Sequence, residues 1–253
     1  MKSFSRRMFT CPFVVVLALA FAAGPAATVA KNLRDSRGEG TTTPVPRKDR
    51  GWVQRQEQLN ARVKKHADAE LIFIGDSITH AWEGGGKDVW QKYYAKRHAV
   101  NLGIGGDRTQ HVLWRLEHGN LDGIHPKLAV VMIGTNNCAT NTPEEIANGV
   151  RAIVTKLRTK VPECKVLVLD IFPRGPNAKD RLRKVNEAAN EQIAKFADGQ
   201  HVFYLDIGPK FLGPDGTLSR DIMPDLLHPN AKGYEIWASS IEPTVARLLG
   251  ESS

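Results

Sequence analysis

The chain has 253 residues, of which 42% are hydrophobic and 25% are charged, and its formal net charge is +8. This composition is typical of a soluble globular protein, and the length allows one large domain or at most two small ones. Lysine and arginine form no run dense enough to indicate nucleic-acid binding, so the charge favours an ordinary solvated surface or contact with an anionic one, such as phospholipid or acidic polysaccharide.

The first 30 residues have the three-part pattern of a secretory signal peptide. The start is basic, the middle (13–23) is an apolar run too short to span a membrane comfortably, and the tail of small residues ends at Ala30. This order predicts export to the periplasm or the medium, with cleavage after Ala30, and a membrane anchor is the alternative. Arg6 and Arg7 also fit a twin-arginine signal, although ordinary signals contain such pairs too. The chain beyond residue 30 has a formal charge of +5.

Residues 31–50 predict a flexible linker, because they are rich in Lys, Arg, Thr, Gly and Pro and nearly free of large apolar residues. A single domain is then expected over 51–253. Its two cysteines, Cys138 and Cys164, lie in no spacing typical of a disulfide framework or a zinc site. Exported proteins can pair such residues, but two free and mostly buried thiols are the favoured interpretation.

From residue 51 onward, short apolar runs alternate with helical patterns. The predicted strands cover 71–74, 99–104, 128–133, 166–171 and 202–207. The predicted helices cover 52–67, 89–96, 110–117, 143–159, 181–196 and 231–249, the last with a bend expected at Pro243. Thr142 and Glu145 predict a capping box at the start of the fourth helix. Strands alternating with helices indicate parallel pairing, so the predicted fold is an α/β three-layer α/β/α sandwich with a five-stranded parallel sheet, of the flavodoxin-like type.

The first strand ends in Gly75-Asp76-Ser77, which leaves a serine at the carboxyl end of a buried strand. Open α/β sheets bind their ligands at this edge, and a hydroxyl there is a candidate nucleophile if a base can reach it. The alternative is that Ser77 only caps the next helix. Asp76 is expected to brace the turn through local hydrogen bonds.

Two later strand ends carry groups that could donate hydrogen bonds. Gly106 could bring its backbone N–H close to a ligand or simply form a tight turn. The dinucleotide pattern G-x-G-x-x-G is broken, because Arg108 stands where its last glycine would be. Asn136 offers a side-chain amide for an oxyanion, with a plain turn residue as the alternative.

The fourth strand-end group is an acid followed by a base. Asp225 lies three residues before His228, close enough to reach the imidazole within one turn and to fix its tautomer. A lone surface histidine is the alternative. Nucleophile, donors, acid and base would all fall along one edge of the predicted sheet, and this joint arrangement favours a catalytic site.

Four blocks of the chain resemble the signature blocks of the SGNH (GDSL-type) hydrolases: Gly75-Asp76-Ser77, Asn101-x-Gly103-x-x-Gly106, Gly134-Thr135-Asn136-Asn137 and Asp225-x-x-His228. The run over 101–116 resembles more specifically the catalytic subunits of intracellular platelet-activating-factor acetylhydrolase, and so do 172–175 and 225–234. The similarity extends over 71–249, which is nearly the whole predicted domain.

This resemblance implies that Ser77 is the nucleophile, His228 the base and Asp225 its orienting acid. It also implies an oxyanion hole formed by the backbone N–H groups of Ser77 and Gly106 and the side chain of Asn136. Such a mechanism needs no metal and no cofactor. The implied partner is a small acyl ester of a lipid or an acetylated carbohydrate, with no nucleic acid, no membrane span in the mature chain, and a homodimer as one possibility.

The predicted activity is that of an exported serine esterase acting on short acyl esters, in particular acetyl esters. A carbohydrate O-acetyl esterase and a non-catalytic lipid- or carbohydrate-binding protein are the alternatives. The chain departs from the family pattern in two ways, of which Asn137 points to the acetylhydrolase branch more than to lost activity, and the export signal bears on the substrate. Many members have Asp where this chain has Asn137, although the acetylhydrolase branch shares the Asn-Asn form, and the export signal contrasts with the intracellular location of that branch.

Overall fold

The computed structural model describes residues 40–251, together with Met1. The strands are β1 (Leu71–Gly75), β2 (Ala99–Gly103), β3 (Leu128–Met132), β4 (Lys165–Leu169) and β5 (Val202–Leu205). The helices are α1 (Arg50–Lys65), α2 (Ser77–His80), α3 (Lys87–Tyr93), α4 (Thr109–Glu117), α5 (Pro143–Lys160), α6 (Arg181–Ile193) and α7 (Ala231–Leu249). Each predicted strand and helix has a counterpart whose ends differ by a few residues, whereas α2 was not predicted.

The five strands form one sheet in the order β2-β1-β3-β4-β5, and every neighbouring pair is parallel. Gly75 at the end of β1 pairs with Gly103 on one side and with Met132 on the other. The carboxyl ends of these three central strands are therefore level, and the loops that leave them start side by side. The predicted five-stranded parallel sheet is confirmed.

Helices cover both faces of the sheet. Ile72 and Ile74 belong to a buried cluster with residues of α1, α4, α5 and α6. Leu71 and Phe73 point the other way, into a second cluster with residues of α2, α3 and α7. Successive side chains of a strand face opposite sides, so a strand covered on both faces must be apolar throughout, as β1 is. The predicted three-layer sandwich is confirmed.

Two predicted helix features can be compared with the structure. The capping box of α5 is present, since Glu145 N donates to Thr142 Oγ1 (3.2 Å) and Thr142 N donates to Glu145 Oε2 (2.9 Å). The last helix, α7, includes Pro243 within a single element. Among the described residues, no helix combines the length and the apolar character needed to cross a membrane.

The predicted signal peptide, 1–30, and the predicted linker up to residue 39 lie outside the described residues, apart from Met1. Residues 40–49, called here the N-terminal strap, differ from the predicted flexible linker because they bond to the domain. Thr41 is buried and its hydroxyl donates to the backbone oxygen of Glu145 (2.6 Å). Val45 N donates to the backbone oxygen of Gln110 (3.1 Å). The strap is held by hydrogen bonds and contains few apolar residues, so its sequence has no apolar pattern that predicts an ordered segment. For this reason its composition predicted a linker.

Among the described residues, Cys138 and Cys164 are both buried and form no disulfide, as predicted. Burial raises the pKa of the Cys164 thiol to about 12. Burial likewise raises the pKa of Cys138. Neither thiol is therefore suited to act as a nucleophile, since the thiolate is the reactive form.

Candidate active site

The turn after β1 presents Ser77 at the first position of α2. Asp76, and not Ser77, caps this helix, because its Oδ1 accepts a hydrogen bond from Ile78 N (3.0 Å). The turn needs glycine at Gly75, since a Cβ there would lie 2.1 Å from Thr79 Oγ1 and 2.4 Å from the Met132 backbone oxygen. Asp76 thus braces the turn as expected, and the serine hydroxyl is free to make another contact.

That contact is with His228, whose Nε2 lies 2.8 Å from Ser77 Oγ. His228 Nδ1 lies 2.6 Å from Asp225 Oδ2. An ionised carboxylate only accepts hydrogen bonds, so Nδ1 carries the ring proton and Nε2 accepts from the serine hydroxyl. Burial would raise the pKa of Asp225, but hydrogen bonds from the His228 ring and from backbone N–H groups outweigh it and hold the pKa below its ordinary value.

The turn between Asp225 and His228 is held by backbone contacts. Asp225 Oδ1 accepts from Leu227 N (3.0 Å) and from His228 N (2.7 Å). Leu226 has a φ of 60°, in the left-handed region, where a non-glycine residue costs roughly 1–2 kcal/mol. The Leu226 backbone oxygen accepts from Gly175 N (2.9 Å). This loop therefore stores some strain, and the contacts around it maintain Asp225 and His228 in one geometry.

The loops after β1, β2 and β3 carry the three N–H donors that the family resemblance implies for an oxyanion hole. Within residues 40–251, the backbone N–H groups of Ser77 and Gly106 have no acceptor. The side chain of Asn136 donates one of its two amide hydrogens to the Asp107 backbone oxygen (2.9 Å) and keeps the other. The loop of Gly106 runs beside Ser77, because a Cβ on Gly105 would lie 3.9 Å from Ser77 Cβ. Unused donors next to a serine are suited to receive a developing negative charge.

A buried ion pair fastens the strand ends that carry these loops. Arg115 Nε donates to Asp107 Oδ2 (2.7 Å), and both side chains are fully buried. The same guanidinium donates to the backbone oxygens of Leu102 (2.9 Å) and Gly75 (3.3 Å). Trp52 Nε1 donates to the other oxygen of Asp107 (2.7 Å). Sequence reasoning missed this network, since no spacing rule distinguishes these residues from surface charges.

Asn137 stabilises the loop after β3. It is fully buried, and its Oδ1 accepts from Thr109 N (3.1 Å). Its Nδ2 donates to the side-chain oxygens of Gln110 (3.2 Å) and Asn141 (3.2 Å). An amide satisfies these donors and acceptors together, whereas an ionised aspartate could only accept. The Asn in place of the family's more common Asp therefore matches its surroundings.

Two further ionisable groups near the serine have shifted pKa values. Burial, reinforced by repulsion from Asp107, raises the pKa of Asp76 to about 7, and its Oδ2 has no hydrogen-bond partner among the residues that the structure describes. Burial and the charge of Arg55 lower the pKa of His80. His80 Nδ1 accepts from Gly105 N (3.3 Å), which fits a neutral ring. Asp76 thus holds the backbone N–H of Ile78, and His80 holds that of Gly105, on either side of Ser77.

A cavity of about 290 Å³ lies farther along the same edge, at the carboxyl ends of β4 and β5, with Asp170, Tyr204 and Asp206 among its walls. Burial raises the pKa of Asp170 to about 7, and its Oδ1 accepts from Ile207 N (2.8 Å). This carboxyl holds the start of the turn after β5. Within residues 40–251, no His, Cys, Asp or Glu side chains form a group able to hold a metal ion.

Comparison with known proteins defines the class of this protein. The sequence model of the GDSL-like Lipase/Acylhydrolase family matches residues 73–236. The platelet-activating factor acetylhydrolase IB subunit alpha1 of Pongo abelii is 38% identical over 204 residues, covering 80% of this chain and 86% of the relative. Subunit alpha2 of Rattus norvegicus is 34% identical over 226 residues, covering 86% of this chain and 96% of the relative.

Solved structures share the fold at lower identity. A GDSL-like lipase from Bacteroides thetaiotaomicron superposes with a TM-score of 0.60 at 20% identity, covering 77% of this chain and 97% of the other. An acetylxylan esterase from Geobacillus stearothermophilus superposes with a TM-score of 0.56 at 19% identity, covering 72% and 94%. The fold is that of the SGNH (GDSL-type) hydrolases. The chain belongs to the GDSL-like lipase/acylhydrolase family and is a carboxylic ester hydrolase.

Proposed function

We propose that this enzyme is a serine esterase of short acyl esters, with acetyl esters as its preferred substrates. The observation that carries the proposal is the chain of contacts from Ser77 Oγ to His228 Nε2 (2.8 Å) and from His228 Nδ1 to Asp225 (2.6 Å), beside three N–H donors. The relatives named platelet-activating factor acetylhydrolase support the acetyl preference.

In the first half of the reaction, Ser77 Oγ attacks the ester carbonyl while its proton passes to His228 Nε2. The carbonyl oxygen becomes an oxyanion, which accepts from the N–H groups of Ser77 and Gly106 and from Asn136 Nδ2. The carbon–oxygen bond to the alcohol then breaks, and the alcohol leaves with the proton from Nε2. The product is an acyl ester of Ser77.

In the second half, water replaces the alcohol. His228 Nε2 takes a proton from the water as its oxygen attacks the acyl carbon, and the same three donors stabilise the second oxyanion. Collapse returns the proton to Ser77 Oγ and releases the carboxylic acid. Asp225 keeps its negative charge throughout and stabilises the imidazolium that forms in each half.

The test is a panel of p-nitrophenyl esters of increasing acyl length, measured with the wild type and with Ser77→Ala. We expect the highest kcat/KM on acetate, a fall with chain length, and only background turnover by the variant. A fluorophosphonate should label the wild type and not Ser77→Ala. Full activity of Ser77→Ala would refute the mechanism, and a preference for long acyl chains would refute the acetyl assignment.

A carbohydrate O-acetyl esterase remains the second candidate. One fold relative is named an acetylxylan esterase, and a positively charged surface suits an acidic polysaccharide as well as a phospholipid. Acetate release from acetylated xylan and from an sn-2 acetyl phospholipid, compared at equal enzyme concentration, distinguishes the two substrates. Since the chain is an ester hydrolase, the non-catalytic binding protein considered from the sequence is not proposed.

Export is a further part of the proposal, and it rests on the basic, apolar and small-residue order of residues 1–30. Fractionation of a bacterial host that expresses the full chain tests it. The mature protein is expected outside the cytoplasm and should begin at Lys31. An uncut chain confined to the cytoplasmic fraction would contradict export, and loss of export on replacing Arg6 and Arg7 by lysine would favour the twin-arginine route.

A further inference from the structure

We propose that Arg47 is a positioning residue that orients and polarises one oxyanion donor, the N–H of Gly106. The inference rests on the proposed function, because it needs that N–H to meet the oxyanion. Arg47 lies in the N-terminal strap, outside the four sequence blocks that resemble the family. Its side chain nevertheless reaches the loop after β2, where Nη1 donates to the backbone oxygen of Gly105 (2.7 Å).

The oxygen that Arg47 binds and the N–H that faces the oxyanion belong to the same peptide unit. The C=O of Gly105 and the N–H of Gly106 are joined by one planar amide, and in a trans peptide they point in opposite directions. No cis peptide occurs among the described residues. A hydrogen bond that fixes the oxygen therefore also fixes the direction of the N–H.

A cation on the carbonyl side also strengthens the donor. Withdrawal of electron density by the guanidinium makes the amide hydrogen more positive, as in any hydrogen-bonded chain of amides, and charge-assisted bonds do this more strongly. The N–H of Gly106 has no acceptor within residues 40–251, so this polarisation is available to a bound ligand. Arg47 thereby acts on the oxyanion through the peptide, without touching the substrate.

Gly106 itself is adapted to this contact. Its φ of 79° favours glycine, and a Cβ there would lie 2.9 Å from Arg47 Nη1. The guanidinium packs directly against the backbone that it orients. Without Arg47, this half-exposed loop would lose the hydrogen bond to the Gly105 backbone oxygen and the guanidinium that packs against Gly106.

Arg47 is held in place from its own side as well. Its Nε donates to Asp49 Oδ2 (3.0 Å), and its Nη1 lies 3.8 Å from the buried Asp107 Oδ1. The strap is tied to the domain by Thr109 Oγ1, which donates to the Thr41 backbone oxygen (2.9 Å). The side chain of Arg47 keeps 28% exposure, so its replacement leaves no closed cavity.

The experiment compares Arg47→Ala, Arg47→Gln and Arg47→Lys with Lys48→Ala, which removes an exposed neighbouring charge as the matched control. We expect kcat to fall about tenfold or more in Arg47→Ala with KM within about twofold of wild type, since the donor acts in the transition state. Lysine keeps donor and charge and should restore most of kcat. Glutamine keeps a donor without the charge, so the kcat of Arg47→Gln should lie between those of Arg47→Ala and Arg47→Lys. The kcat of Lys48→Ala should match that of wild type.

Chemical rescue separates positioning from a general effect on folding. Added guanidinium at millimolar concentration should raise the kcat of Arg47→Ala and leave that of Asn136→Ala unchanged. If Arg47→Ala fails to fold, the order of the Gln and Lys variants tests the same point. Equal kcat in wild type and in every folded Arg47 variant would overturn the inference while leaving the proposed function intact. Full activity of Ser77→Ala would instead overturn the proposed function.

Discussion

Ser77 Oγ and His228 Nε2 lie 2.8 Å apart although 151 positions separate the two residues in the sequence. The contact depends on the ring tautomer, because Nε2 can accept from the hydroxyl only if the ring proton is on Nδ1. Asp225 selects that tautomer by accepting from Nδ1 at 2.6 Å. Selection of the ring tautomer by Asp225 Oδ2 can therefore be separated from the hydrogen bonds by which Asp225 Oδ1 holds the loop.

Asp225→Asn tests this effect. The amide can turn its NH2 toward Nδ1, which would move the ring proton to Nε2 and abolish acceptance from Ser77. The side-chain oxygen can still bond the backbone N–H groups of Leu227 and His228, so the loop should keep its shape. We expect kcat to fall about 10²- to 10⁴-fold, as for the corresponding change in serine proteases. A loss below tenfold with an unchanged circular dichroism spectrum would show that the acid is dispensable.

Asn136→Ala should remove one of the three proposed oxyanion donors. Single donors of this kind are worth about 2.7–4 kcal/mol of transition-state stabilisation, so kcat should fall about 10²- to 10³-fold with little change in KM. The nearby Asn141→Ala is the matched control, since Asn141 lies in the same loop and, within residues 40–251, its side chain bonds only to the side chains of Asn137, Thr140 and Glu145. Equal losses in the two variants would mean that Asn136 only shapes the turn.

Gly75→Ala should disturb Ser77 through sterics alone. The new methyl group would overlap Thr79 Oγ1 and the Met132 backbone oxygen, and overpacking of this kind costs about 1–3 kcal/mol. We expect a lower Tm together with a large loss of kcat. Gly123→Ala is the control: its φ of 79° predicts strain, but a Cβ there meets nothing within 4 Å, so Tm should fall without loss of kcat. Normal activity of Gly75→Ala would contradict the close approach at this turn.

Asp170 should make the free energy of unfolding depend on pH. Its pKa is raised from 3.8 to about 7 in the folded chain, so the folded state binds more protons than the unfolded state between these values. The stability that the protonated group contributes is present below pH 4 and is lost as the pH rises to about 7. Asp170→Asn keeps the acceptor for Ile207 N and cannot ionise.

The wild type should therefore lose stability relative to Asp170→Asn between pH 4 and 7, and the difference should stay constant above pH 7. Urea unfolding of both chains across this range measures it, and Asp76, which is present in both, cancels. A pH-independent difference would show that Asp170 ionises freely in the folded protein.

The sequence predicted the sheet, its layers and the residues around Ser77 because these depend on local patterns. Apolar runs mark strands buried on both faces, and Asp225 and His228 are separated by a spacing that one turn can close. The short helix α2 was missed, since four residues carry no periodicity. Arg115 and Arg47 were missed for another reason: the hydrogen bonds of each guanidinium to backbone oxygens depend on contacts between distant segments.

The turn that contains Asp225 and His228 has a consequence for control of the enzyme. Asp225 and His228 lie three residues apart and are hydrogen-bonded to each other, and Asp225 also accepts from the His228 backbone N–H, whereas Ser77 belongs to a different part of the sheet edge. A displacement of this one loop would separate the base from Ser77 while keeping the ring tautomer intact. Such a molecule would be inactive although the contact between Asp225 and His228 is intact. It would regain activity when the loop returned His228 to Ser77.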